Sequence, residues 1–162
     1  MLVPAMVREQ AFFEAYLSNF IEGTEFTVDE AIRIVYDHAM PPARPADAHD
    51  VASTFELISD PVDARDIPGS GTEFMAQLER RHARLMAARP DKRPGQFKQE
   101  ANRVGSYQFV APELVRGTLD RGFALGDQLT LPFSRAVFMM FLISEVHPFD
   151  DGISRSPDES GS

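Results

Sequence analysis

The stretch Pro132-Phe133-Ser134-Arg135-Ala136-Val137-Phe138-Met139-Met140-Phe141-Leu142-Ile143-Ser144-Glu145-Val146, continuing into His147-Pro148-Phe149-Asp150-Asp151-Gly152, decides how this chain is read. Pro132 suits a first helical turn, where its missing N–H costs nothing, and Pro148 forces the chain out of the helix just past His147. Between them, Ala136 to Ile143 are apolar on every side. A helix without a polar face belongs inside a bundle, so the stretch predicts a buried central helix. The apolar run is far too short for a membrane span.

Helical signals dominate the rest of the chain. Phe12, Phe13, Tyr16, Leu17 and Phe20 form one stripe on a helix over about 5–20, with Gly23 as its stop. Thr27-Val28-Asp29-Glu30 is a capping box, followed by Ala31, Ile32, Ile34 and Val35 until Pro41-Pro42. Asp47 is read as the cap of a helix through Val51, Phe55 and Ile58. Ser70-Gly71-Thr72-Glu73 repeats the capping-box pattern ahead of Phe74, Leu78, Leu85 and Met86.

Residues 90–110, which begin at Pro90, break this pattern, with the hairpin expected over about 94–110. Pro94, Gly95 and Gly105 punctuate them, and Tyr107-Gln108-Phe109-Val110 alternates as a strand does, which predicts a β-hairpin. Pro112 then opens a helix to about Leu125. The expected fold is mainly α, a single domain of helices around the central one with a hairpin beside it.

The 162 residues carry a net charge of −9 and no cysteine. That field repels a phosphate backbone, so nucleic acid is excluded as an expected partner. Without thiols, disulfides and thiolate metal sites are excluded and a reducing, cytoplasmic setting is the expectation. No signal peptide or membrane anchor is read, because Met1-Leu2-Val3-Pro4 lacks a basic start. His38, His49 and His82 show no metal-ligand spacing, and His82 is placed with Arg80, Arg81 and Arg84 on a solvated face.

The chemistry gathers at the end of the central helix. His147 stands at the rim of a rigid element, Phe149 is able to pin the turn, and Asp151 with Gly152 adds a carboxylate and a flexible bend. A base, a carboxylate able to hold Mg²⁺ and a glycine turn suit phosphate chemistry. Read alone, an imidazole at a helix end is more often a cap for terminal carbonyls.

The full string resembles the Fic family signature, HPFx(D/E)GNGRxxR, in His147-Pro148-Phe149-Asp150-Asp151-Gly152 and Arg155. Pro94-Gly95-Gln96-Phe97 through Phe109-Val110-Ala111-Pro112 is similar to that family's flap hairpin and following helix. Ser18-Asn19-Phe20-Ile21-Glu22-Gly23 is similar to its inhibitory motif, (S/T)xxxE(G/N), in the class with an N-terminal inhibitory helix, here about 5–23. There the alternative is a solvated Glu22 at a helix end.

The resemblance implies a bacterial protein adenylyltransferase that moves AMP from ATP onto a Ser, Thr or Tyr hydroxyl of a target protein docked on the flap. It implies a Fic-type bundle with the central helix and motif at 132–155. His147 would be the general base, Asp151 the Mg²⁺ ligand, and Gly152, Ser154 and Arg155 the phosphate contacts. Ser18, Glu22 and Gly23 would form the inhibitory motif. A homodimer is a further partner class left open.

The match then fails. The family's Asn is Ile153, its second Gly is Ser154, and Asp158 stands at its second Arg. Ile cannot donate to phosphate, and Asp158 puts an anion where a cation is expected. The helix whose N-terminus completes the family's anion hole is expected to be cut short, as after a frameshift or truncation at Ile153. The expectation is therefore weak or absent transfer, the alternative being a catalytically dead remnant that acts as a protein-interaction module.

Overall fold

Thr27 shows how local chemistry starts the helices. Its hydroxyl accepts from the Glu30 N–H at 3.3 Å while the Glu30 carboxylate accepts from the Thr27 N–H at 2.8 Å, closing the expected capping box. The computed structural model describes residues 4–150. They form α1 (Pro4–Ile21), α2 (Val28–Tyr36), α3 (Pro45–Ser59), α4 (Gly71–Leu85), β1 (Arg103–Val104), β2 (Tyr107–Gln108), α5 (Val115–Asp127) and α6 (Pro132–Val146). The mainly helical class with one antiparallel hairpin is as read from the sequence.

The chain divides into two compact units, residues 1–67 with 84–90, and residues 68–83 with 91–162. In the first, α1 and α2 pack on α3 around Phe12, Ile34, Val51 and Phe55. Buried Asn19 donates to the Ala15 carbonyl at 2.9 Å and to the Thr54 hydroxyl at 3.2 Å, so its amide is satisfied inside the core. α3 starts earlier than its expected Asp47 cap. Pro45 occupies its first turn, and Asp47 instead pairs with Arg44 at 3.0 Å and with Arg89 at 2.7 Å.

The second unit has its core at Phe74, Leu78, Phe97, Val115, Leu119, Phe123, Leu142, Val146 and Phe149. α5 and α6 approach closely because Gly122 and Gly126 present no Cβ. One at Gly122 would run into Leu142, and one at Gly126 into Met139 and Phe138.

α6 departs from the expected all-round burial. Leu142 and Val146 are buried, but Phe133 is 81% and Met140 64% exposed. The composition is that of a central helix; among the described residues α5 packs along it, and its buried residues share a core with Phe74 and Leu78 of α4. The hairpin pairs Arg103 with Gln108 and Val104 with Tyr107 across Gly105, whose φ of 58° needs no side-chain accommodation. It occupies the C-terminal half of the expected 94–110 segment, and the rest of that segment is loop.

Candidate functional site

His147 is the residue at which α6 stops. Its N–H still donates to the Ile143 carbonyl at 2.9 Å, but its backbone turns left-handed, with φ 46° and ψ 67°. Pro148 explains the turn, since the residue before a proline is pushed out of the helical region. For a non-glycine residue that conformation costs about 1–2 kcal/mol, so neighbouring contacts must hold it. Arg93, on the segment facing this turn, has a positive φ of 49° as well.

Those contacts come from residues 82–109 and reach every residue from Val146 to Asp150. The Lys98 ammonium donates to the Val146 carbonyl at 3.0 Å, and the Lys98 N–H to the Pro148 carbonyl at 2.8 Å. Asn102 donates to the Phe149 carbonyl at 2.8 Å, and Arg93 forms an ion pair with Asp150. Lys98 is only 3% exposed, so its charge is held among the last carbonyls of α6, at the negative end of the helix. Phe149 stacks on His82 with ring centres 3.9 Å apart and touches Phe97 at 5.2 Å. Phe109, next after β2, stacks on the His147 ring at 4.3 Å and 16°.

The His147 side chain is therefore fixed in orientation yet only half-buried, at the edge of the second unit. Both strands of the hairpin are exposed. Tyr107 donates to Glu145 of α6 at 2.8 Å, a bond that, with the nearby carboxylate charge, holds the phenol above its ordinary range. An immobilised imidazole beside an exposed hairpin can accept a proton from a hydroxyl presented there.

Of the residues expected to act at this site, His147 lies among the described residues, whereas Asp151, Gly152, Ser154 and Arg155 lie outside them. Ser18, Glu22 and Gly23 belong to the first unit, at the exposed C-terminus of α1. The Thr24 N–H reaches the Asn19 carbonyl at 2.9 Å and the Gly23 N–H the Phe20 carbonyl at 3.1 Å, with Gly23 at φ 92°. This paired closure makes Gly23 the helix stop its position predicted. Among the described residues, no three His, Asp or Glu side chains gather as a metal site would require.

His82 corrects the sequence reading. It is 7% exposed rather than solvated, and its Nδ1 accepts from the Gly95 N–H at 3.0 Å, so that nitrogen carries no proton. The signal was present: Phe74, Leu78 and His82 recur every fourth residue, which puts the imidazole on the buried stripe and the flanking arginines beside it. Lys98, Asn102 and Phe109 were not singled out, because their roles depend on residues some 40 positions away, a separation periodicity cannot reach. Compared with known proteins, the chain matches no family model and no curated protein sequence.

Proposed function

We propose that this chain carries a Fic-type site for transferring AMP from ATP to a hydroxyl of a target protein, weakened by the residues that follow Gly152. The reading rests on the HPFxDG string and on one geometric observation: a half-buried His147, stacked by Phe109, next to an exposed hairpin. In this reading His147 takes the proton of the attacking Ser, Thr or Tyr hydroxyl. The hairpin aligns the target by adding a strand at its edge. When bound, ATP would supply the AMP group, with pyrophosphate as the leaving group, and Mg²⁺ would screen its phosphates.

The described residues fit the base and its frame, and not the phosphate cradle. Arg93 is paired with Asp150 and the Lys98 ammonium is turned onto the Val146 carbonyl. The phosphate and metal contacts would thus fall to Asp151, Gly152, Ser154 and Arg155.

A second reading, a catalytically dead remnant that binds a partner through the hairpin, is favoured by Ile153, Ser154 and Asp158, which remove a donor, a close backbone approach and a cation. The experiment is incubation of the chain with Mg²⁺ and ATP labelled at the α-phosphate, alongside calorimetric titration with the same nucleotide. Saturable binding with trace labelling that His147→Ala removes is the expected result. Vigorous labelling would refute the impairment, labelling indifferent to His147→Ala would refute the base, and absent binding would leave the remnant.

A further inference from the structure

A cavity of about 360 Å³ is lined entirely by the first unit, and none of its residues has a part in the proposed transfer. That volume suits a small-molecule site. Its apolar lining is Val35, Tyr36, Ala52 and Phe55, of which Val35 and Phe55 are buried. Arg8 of α1, Glu56 of α3, Asp60 and Arg84 bring charge to it.

The two signs of charge share this cavity without all being joined. The Arg8 guanidinium lies over the Tyr36 and Phe55 rings, 5.8 and 5.4 Å from their centres, and among the described residues no carboxylate pairs with it. A cation held against rings gives up part of its water, and here no anion replaces it. Its N–H donors remain available at the edge of the plane. Asp60 is already engaged: its carboxylate accepts from the Val62 and Asp63 N–H groups at 2.9 and 3.3 Å and from Arg84 at 3.3 Å. Glu56 makes a loose contact with the same Arg84 guanidinium, at 3.7 Å, and its side chain is 56% exposed. Arg8 and Glu56 are thus a cation and an anion that line one cavity but do not meet.

We propose that this cavity binds a free α-amino acid with an apolar side chain. Its carboxylate would sit on Arg8, its ammonium on Glu56, and its side chain on Val35, Tyr36 and Ala52. Charge balance carries the choice of ligand. With the His38 imidazole at the rim uncharged, two arginines and two carboxylates sum to zero, which matches a zwitterion and neither a net cation nor a net anion. A carboxylate and an ammonium on one carbon bridge partners too far apart to pair with each other, and each end gains a charge-assisted hydrogen bond. A phosphate ester fits worse, because Glu56 and Asp60 would repel its second negative charge. Tyr36 is still 40% exposed, so the site is open and the affinity roughly millimolar.

Chemical-shift titration of the whole, isotope-labelled chain with phenylalanine and with leucine reads the binding. Phenethylamine, which lacks the carboxylate, and phenylpropionate, which lacks the ammonium, isolate the two charges. Saturable shifts centred on the cavity residues of α1, α2 and α3 are expected with both amino acids. Each analogue should bind at least about tenfold more weakly than phenylalanine, the loss of one charge-assisted hydrogen bond. Arg8→Gln should weaken phenylalanine by a similar factor and leave phenethylamine unchanged, whereas Glu56→Gln should weaken phenylalanine and spare phenylpropionate. No saturable shifts with either amino acid, or an analogue that binds the unaltered chain as well as phenylalanine does, overturns the proposal. These outcomes are independent of AMP transfer at His147.

Discussion

His147 is held where its own backbone preference would not put it. The left-handed turn before Pro148 is costly for any residue with a Cβ, and Lys98, Asn102 and Phe109 supply the contacts that fix it. Glycine has no such cost. His147→Gly should therefore be more stable than His147→Ala by about 1 kcal/mol, as measured by urea unfolding. Equal stability would mean that the turn relaxes once the imidazole is gone. At this scale the sequence was legible for His147, because Pro148 marks the helix end by itself. It was not legible for His82, where three flanking arginines hid a position on the stripe of Phe74 and Leu78.

Among the elements, starts and stops were the most readable features. Thr27 with Glu30, Pro132 and Gly23 each act through groups within a few residues, so their signals lie in the local string. Thr27→Ala should cost about 1 kcal/mol of unfolding free energy, visible in a thermal or urea titration. Asp47 was misread as a cap because Arg89, far along the chain, is one of its partners. Packing depth was the least readable feature. The apolar composition of α6 fixes what it can bury but not how many neighbours arrive, and here one broad face stays exposed. Where α5 and α6 do meet, Gly122→Val should destabilise by about 1–3 kcal/mol, since the branched side chain collides with buried Leu142. A neutral result would show that Leu142 has room to repack.

For the molecule as a whole, acidity sets the condition dependence. Backbone hydrogen bonding from Thr27 holds the Glu30 carboxyl below its usual range, and the N–H groups of Val62 and Asp63 do the same for Asp60. Both groups bind protons less readily folded than unfolded. The stability they contribute is thus fully present above their ordinary pKa values near 4 and is lost as pH falls through the lowered ones. Unfolding followed between pH 5 and pH 2 should show falling stability, with a shallower fall in Glu30→Gln. An unchanged slope in that variant would remove Glu30 from the account. The proposed function rests on the string His147 to Gly152, since the groups expected to hold phosphate and metal begin at Asp151, and Ile153 already departs from the pattern.

The central claim is that His147 stands ready as a base beside a cradle spoiled at residues 153, 154 and 158. Restoring the pattern with Ile153→Asn, Ser154→Gly and Asp158→Arg, then measuring transfer of α-phosphate label from ATP to protein, tests it most directly. The account predicts more label than with the unaltered chain, and loss of that gain when His147→Ala is added. No gain, or a gain that survives without the imidazole, contradicts it.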